Sequence, residues 1–166
     1  MSIKNRLDAD MKDAMKQRER LRLGCIRMLK ARLLEREVAL RSKHGTDYRI
    51  TDEEALSVIS TYAKQRRDSI EGYRQGGRDD LVVAEEAELA IVIDYLPRQL
   101  TADELRGMIE EAITRSGAQS IKDLGQVMRL VVPQTKGAAD GKLVNQLVRE
   151  LLAGDQDDGP AQSGQT

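Results

Sequence analysis

The chain of 166 residues contains no tryptophan and no phenylalanine, so four tyrosines provide its large aromatic side chains. A core without those residues must be built from leucine, isoleucine, valine, methionine and alanine, which suits the packing of helix against helix. Hydrophobic residues make up 40% of the chain and charged residues 33%. Such a composition is typical of long amphipathic helices.

Cysteine and histidine are each present once, as Cys25 and His44. One cysteine excludes an intrachain disulfide framework and a zinc site built from several cysteines. Cys25 lies among apolar residues, so we expect a small buried side chain. The sequence also contains no Walker loop, no Ser/His/Asp arrangement and no dinucleotide-binding glycine motif. We therefore expect no catalytic residue, no metal and no cofactor.

Long apolar runs are absent as well. No stretch approaches the length of about 20 residues that a membrane-spanning helix requires. The charged segment 1–8 lacks the apolar stretch of a secretory signal. From these absences we expect a cytoplasmic protein that contacts neither a membrane nor DNA.

Apolar residues recur at helical spacing along the chain, and no segment alternates as a half-buried strand does. The predicted fold is all-α, with an N-terminal bundle of long helices over residues 1–97 and a small C-terminal three-helix domain over residues 98–154. Residues 155–166 are rich in glycine, serine, glutamine and aspartate and are predicted to be disordered.

Helix boundaries follow from capping residues and helix breakers. The second helix is expected from about Arg20 to His44, with Gly45 as its stop. Asp79 or Asp80 is expected to cap the fourth helix, and Pro133 to break or end the sixth. The predicted N-caps of four other helices are Ser2, Thr51, Thr101 and Ser120.

Charge is distributed unevenly along the chain. Residues 1–49 carry about 14 basic and about 7 acidic side chains, whereas residues 50–98 carry about 6 basic and about 11 acidic ones. Two explanations are open. Neighbouring helices could pair these opposite charges within the molecule, or the basic segment could contact nucleic acid.

The segment 123–142 holds three glycines and a proline in an otherwise helical, charge-rich chain. Gly125 falls inside a helical pattern, where glycine costs about 1 kcal/mol relative to alanine, so we expect a close contact with another helix there. The residues around the start of the last helix could bind an anion through free N–H groups and the helix dipole. An aspartate cap at Asp140 would oppose such binding.

Two further segments stand out. Residues 64–81 contain a cluster of basic side chains that includes Arg66 and Arg67, which forms either an anion site or a solvated face neutralised by neighbouring aspartates. In residues 94–100, Tyr95 is expected to pack the end of a helix and Pro97 to set a turn, which predicts a hinge between the two domains.

These three segments and the opening Asp-Met-Lys-Asp-Ala-Met-Lys of residues 10–16 resemble the GatB/YqeY family over nearly the whole chain. The resemblance implies a free-standing protein similar to the tail domain of one component of the tRNA-dependent amidotransferase, a carbon–nitrogen ligase that uses glutamine. In that complex the chemistry belongs to other parts. Gln126 and Ala138 stand where family members often carry basic residues, so this loop has lost two positive charges.

We therefore predict a non-catalytic, tRNA-associated accessory module that acts in translation. One alternative is a docking module for an amidotransferase or a synthetase without RNA contact, and another is an enzyme whose chemistry the sequence does not reveal. The candidate RNA contacts are Lys12, Lys16, Arg20, Arg27 and Lys30, with Arg66 and Arg67 as a second group and Lys136 and Lys142 in the C-terminal loop. The residues assigned to structural motifs are Tyr95, Pro97, Gly125, Met128, Gly137, Asp140 and Gly141.

Overall fold

A computed structural model describes residues 1–154, and all regular secondary structure in this range is helical. The all-α prediction is therefore confirmed. A short 3₁₀ turn, Ile121–Asp123, precedes the sixth of the seven α-helices described. The α-helices are α1 (Ile3–Gln17), α2 (Arg20–His44), α3 (Asp52–Gln75), α4 (Asp79–Ile93), α5 (Ala102–Ser116), α6 (Leu124–Thr135) and α7 (Gly141–Gly154).

Side-chain caps fix where the helices begin. The Ser2 hydroxyl accepts a hydrogen bond from the backbone N–H of Asn5 and opens α1. Thr51 and Thr101 each form a reciprocal capping box with the glutamate three residues later, and so they open α3 and α5. Gly45 follows the last residue of α2 with a φ of 98°, a backbone conformation that favours glycine. These boundaries confirm the predicted ones.

Three boundary predictions need correction. Arg78 holds the N-cap position of α4 without a side-chain cap, and Asp79 and Asp80 lie in the first turn, where carboxylates interact favourably with the helix dipole. Ser120 caps the 3₁₀ turn rather than α6 itself. Pro133 lies inside α6 and does not end it at once; it has no N–H to bond to the Arg129 carbonyl, and the helix continues for only two residues beyond it, to Thr135.

The chain divides into two compact units, the first being Met1–Pro97 and the second beginning at Arg98. In the first unit, α1 and α2 form an antiparallel hairpin, since Asp10 lies beside Arg22 and Lys4 lies beside Glu37. Helices α3 and α4 complete this unit. Its core is aliphatic, as the composition predicts, and includes Leu7, Ile26, Leu29, Ile59, Ala63 and Val92.

The second unit has its own core, built from α5, α6 and α7. Its fully buried side chains are Leu105, Ile109, Val127, Val131, Val144, Val148 and Leu152. Met128 packs against this core while it stays partly exposed. Nowhere in residues 1–154 is a helix both long and apolar enough to cross a membrane. The predicted disordered tail, residues 155–166, lies outside the described residues.

Gly125 does not mark a close contact between helices, so that prediction was wrong. A Cβ atom added at Gly125 would find no heavy atom within 4 Å, and the residue is exposed. It lies in the first turn of α6, while the buried residues of that helix are Val127, Val131 and Thr135. Among the glycines of segment 123–142, Gly137 is the one whose backbone conformation favours glycine, because it is buried and has a φ of 77°.

Candidate nucleic-acid interface

The turn between α1 and α2 holds Arg18 in an unusual backbone conformation. Its φ of 59° makes Arg18 the one non-glycine residue with a positive φ in the described part of the chain. The N–H of Glu19 donates to the carbonyl of Ala14 over 3.0 Å, and the N–H of Arg18 donates to the carbonyl of Met15 over 3.3 Å. This pair of bonds closes α1 in a Schellman motif. The chain reverses within two residues, so basic side chains from both helices lie near one turn.

Within residues 12–27, around the turn of this hairpin, five exposed basic residues have side chains that make no hydrogen bond and no ion pair in residues 1–154. We call them the hairpin cations: Lys12, Lys16, Arg18, Arg20 and Arg27. Lys12 and Lys16 are four residues apart on α1 and therefore share one face of that helix. Sequence reasoning missed Arg18, although its place between Lys16 and Arg20 in a basic run could have drawn attention to it.

Several other basic residues of the same segment already have acidic partners. Lys4 pairs with Glu37 at 2.8 Å, and Arg32 pairs with Glu35 at 3.0 Å. Arg22 lies 3.5 Å from Asp10 and 3.0 Å from Glu19. In each of these ion pairs the acid comes from residues 1–49 and not from the acidic middle of the chain. The excess positive charge of the segment therefore remains on the hairpin cations, together with Arg36 and Lys43 farther along α2.

Lys30 differs from the hairpin cations, although the sequence grouped it with them. Its ammonium group pairs with the Asp8 carboxylate across the α1–α2 hairpin and lies 3.9 Å from the Met11 sulfur. Its charge is thus offset within the protein. A phosphate contact by Lys30 would require this pair to open.

The second predicted RNA group needs correction at Arg66. The Arg66 guanidinium lies 4.9 Å from the centre of the Tyr62 ring, and it is 3.3 Å from Glu85 and 3.5 Å from Glu88. Two carboxylates from α4 therefore neutralise it, and only 24% of the side chain is exposed. This arrangement serves the packing of α3 on α4 and argues against a phosphate contact. Arg67, the next residue, is half-buried.

Tyr62 and Cys25 lie beside this charge cluster. The Tyr62 hydroxyl donates to Glu88, and burial, together with the Glu88 charge, raises the pKa of Tyr62 to about 12. Burial is also the main cause that raises the pKa of the Cys25 thiol to about 11, followed by the charge of Glu88. Cys25 is therefore a buried, protonated thiol at neutral pH, in agreement with the expected apolar role. A nucleophilic role would require the thiolate.

The C-terminal loop is held by the segment that precedes α5. The Gln99 side-chain amide donates to the Gly137 carbonyl over 2.8 Å, and the Leu100 N–H donates to the Ala138 carbonyl over 2.8 Å. Two of the sequence motifs therefore meet in this unit for a structural reason.

The start of α7 is already occupied by a side chain of the protein. The Asp140 carboxylate accepts a hydrogen bond from the backbone N–H of Lys142 over 3.3 Å, as an N-cap does. A carboxylate at this place would repel a phosphate. Lys136 and Lys142 are exposed and Gly141 is the first residue of α7, but the anion site predicted from these residues is not favoured.

Glu37 is a buried charged residue that sequence reasoning did not single out. Only 3% of its side chain is exposed, and it accepts hydrogen bonds from Lys4 at 2.8 Å, Arg41 at 3.1 Å and the backbone N–H of Ile50 at 3.0 Å. The pKa of Glu37 is lowered to about 2. The largest cause is the hydrogen bond from Lys4, and the second is the hydrogen bond from the backbone N–H of Ile50. Glu37 thus joins α1, α2 and the segment before α3. Its place on the apolar stripe of α2, between Leu33 and Leu40, was the available signal.

Comparison with known protein families matches residues 4–152 to the model described as "Yqey-like protein". A similar protein is "Altered inheritance of mitochondria protein 41, mitochondrial" of Pyrenophora tritici-repentis. It is 29% identical over 153 residues, which cover 89% of this chain and 79% of the relative. The protein of the same name from Saccharomyces cerevisiae is 26% identical over 122 residues, which cover 70% of this chain.

The matched region is 63% of the length of the Saccharomyces relatives, so these are longer proteins of which this chain resembles a part. Their names also bear on location. The expectation of a cytoplasmic protein is contradicted, because the relatives from both fungi are named as mitochondrial proteins.

Proposed function

The chain belongs to the YqeY-like protein family, and from this premise we propose that it acts as a non-catalytic accessory module that binds tRNA. The observation that carries the proposal is the set of hairpin cations. They are exposed, they have no acidic partner in residues 1–154, and four of the five lie within the nine positions from Lys12 to Arg20.

The geometry of the hairpin suits a contact with phosphates. Two helices that pack antiparallel through the buried residues Leu7, Ile26 and Leu29 hold the cations on a rigid support. Lysine and arginine side chains on such a support can each displace a counterion from the nucleic-acid backbone without reading the bases. The interface therefore supports binding that depends on charge and shape rather than on sequence.

The resemblance to the tail domain of the amidotransferase supports tRNA as the nucleic acid. The buried Glu37 and the partly buried Arg66 are both engaged in ion pairs within the first unit, so neither indicates a reaction beyond this binding role. The accessory role is thus the simplest function for a basic hairpin on an aliphatic helical scaffold.

Binding of total tRNA, measured by fluorescence anisotropy across a salt series, tests the proposal. We expect the logarithm of the affinity to fall linearly with the logarithm of the salt concentration, by about 0.9 or less per phosphate contact. The combined substitution Lys12→Gln, Lys16→Gln and Arg20→Gln should lower both the affinity and the slope. Because these side chains are exposed and unpaired, it should leave the melting temperature unchanged.

The matched control replaces three exposed cations that lie away from the turn, as Arg36→Gln, Lys43→Gln and Arg115→Gln. It changes the net charge by the same amount. Equal loss of tRNA affinity in both triple variants would show a general charge effect and contradict the interface. Absence of tRNA binding by the unaltered chain would reject the proposal and favour a docking module for an amidotransferase or a synthetase.

A further inference from the structure

Helix α2 carries an exposed apolar stripe that the fold of one chain does not use. Met28 is 43% exposed, Leu34 57% and Val38 52%, and all three lie on the side of α2 opposite its buried residues. Gly24 and Ala31 lie on the same side and are also exposed. Gly24, Arg27, Ala31, Leu34 and Val38 follow one another at alternating spacings of three and four residues, which is the spacing of a coiled-coil seam.

We propose that this side of α2 is the surface on which a second copy of the chain docks, with the two α2 helices antiparallel about a twofold axis at Ala31. The inference goes beyond tRNA binding and does not depend on it; in the dimer one hairpin cation, Arg27, pairs with the second copy, and the other four are not part of the docking surface. We call this surface the α2 face; it consists of Gly24, Arg27, Met28, Ala31, Leu34, Glu35 and Val38.

The α2 face is complementary to itself in that arrangement. A twofold axis at Ala31 places in one layer any two residues at equal distances on either side of it. Arg27 and Glu35, each four residues from Ala31, then meet as opposite charges. Arg27 makes no ion pair in the described chain, and Glu35 has only an exposed pair with Arg32 at 3.0 Å.

Size is matched as well as charge. Met28 and Leu34, each three residues from Ala31, form an apolar layer, and Gly24 and Val38, each seven residues away, place the smallest side chain opposite a branched one. Parallel helices in register would instead bring Arg27 of each copy together, which disfavours that alternative.

Gly24 is an independent indication that a second copy packs against α2. A Cβ atom at Gly24 would meet no heavy atom within 4 Å in the single chain, so the fold of one copy does not require a glycine there. Glycine in an exposed helix interior costs about 1 kcal/mol relative to alanine. Close approach of the second helix, with its Val38 opposite Gly24, accounts for this choice.

An apolar groove continues the α2 face toward α1. It has a volume of about 370 Å³ and is lined by Leu7, Leu33, Leu34 and Ala31, with Lys4, Asp8 and Lys30 around them. Docking of a second copy would therefore cover more apolar surface than the stripe alone. The face still offers fewer residues than the roughly 20–30 a side of a standard interface, so we expect a weak dimer that forms as concentration rises.

Sedimentation velocity of the full chain, from low-micromolar to near-millimolar concentration, tests the dimer. We expect the sedimentation coefficient to rise with concentration toward that of a dimer. Arg27→Glu and Glu35→Arg should each weaken the association at least tenfold, and the two together should restore it, because the opposite charges are then exchanged. A chain that stays monomeric at all concentrations, or a double variant no better than the single ones, would overturn the proposal.

Ala31→Glu provides a second test, since it places two carboxylates at the axis. It should abolish the dimer and leave the melting temperature of the monomer unchanged, because Ala31 is exposed. The matched control is Ala9→Glu, at an exposed alanine of α1, which should leave the dimer intact. Equal effects of the two substitutions on dimer formation would contradict an interface at the α2 face.

Disulfide trapping locates the axis. Ala31→Cys should give a covalent dimer under mild oxidation, whereas Ala9→Cys should not. The native Cys25 is buried and does not compete. Equal cross-linking of both variants would indicate random collision and reject the axis at Ala31.

Discussion

The hydroxyl of the buried residue Tyr95 donates a hydrogen bond of 2.7 Å to the carboxylate of Asp10, although 85 residues separate them in the chain. Asp10 opens one of the sequence motifs and Tyr95 lies in another. Arg6 lies over the Tyr95 ring at 4.8 Å, and Arg22 is 3.5 Å from Asp10. Burial, and then the bond to Asp10, raise the pKa of Tyr95. The two motifs therefore meet for a structural purpose, since they fix the end of α4 against the α1–α2 hairpin.

Removal of the Tyr95 hydroxyl tests how much the Tyr95–Asp10 hydrogen bond contributes to stability. Tyr95→Phe should lower the free energy of unfolding by about 1.5–3 kcal/mol, because a hydrogen bond to a charged group is lost and Asp10 stays partly buried. Chemical denaturation measures the change. A double-mutant cycle with Asp10→Ala should show a coupling of at least about 0.5 kcal/mol between the two sites. Additive effects of the two substitutions would mean that the bond contributes nothing to stability.

Because the pKa of Glu37 is lowered in the folded chain, we expect stability to depend on pH in the acidic range. Its pKa falls from the usual 4.5 to about 2 in the folded chain, so the folded state binds the proton less readily than the unfolded state. The stabilisation from Glu37 is therefore complete above about pH 4.5 and is lost as the pH falls toward 2. As the pH falls between these values, the melting temperature should drop less in the Glu37→Gln variant than in the unaltered chain.

At neutral pH, Glu37→Gln itself should cost about 1–3 kcal/mol, because it removes the charged acceptor of two basic side chains and leaves the N–H of Ile50 with a weaker one. Glu86→Gln is the matched control, since Glu86 is exposed and pairs with Arg74 on the surface. We expect little change in that variant. Equal losses in the two variants would contradict the special role of Glu37.

Replacement by alanine at two glycines of the C-terminal unit should change stability in opposite directions. Gly125→Ala should leave stability unchanged or raise it by a few tenths of a kcal/mol, because a Cβ there meets no atom within 4 Å and alanine favours the helix. Gly137→Ala should lower stability by about 1–2 kcal/mol, since its φ of 77° is strained for any residue with a side chain. Thermal denaturation of both variants provides the comparison. A destabilised Gly125→Ala would restore the discarded idea of a close helix contact.

Arg18→Gly separates stability from RNA binding. Glycine relieves the strain of the left-handed conformation at Arg18, so we expect a gain of about 0.5–1 kcal/mol in the free energy of unfolding. The same change removes one hairpin cation and should weaken tRNA binding. Gln17→Gly, at the last residue of α1, is the control and should lower stability. A variant that is more stable and binds tRNA as tightly as the unaltered chain would exclude Arg18 from the interface.

Local signals in the sequence determined the fold class and most helix boundaries. Capping boxes at Thr51 and Thr101 involve residues three positions apart, and the stop at Gly45 is a property of one residue, so each can be recognised without tertiary structure. The exposed cations of the hairpin could also be proposed from sequence, because opposite faces of one amphipathic helix follow from its period.

Tertiary structure decided which charged residues are free and which are paired. Arg66 and Arg20 look alike in the sequence, yet Arg66 meets two carboxylates of α4, whereas Arg20 has no partner in the described chain. The partners of Glu37 come from three segments, and the Tyr95–Asp10 bond joins residues far apart. Contacts at such separations depend on how the helices pack, and the helical period of the sequence carries no record of that packing.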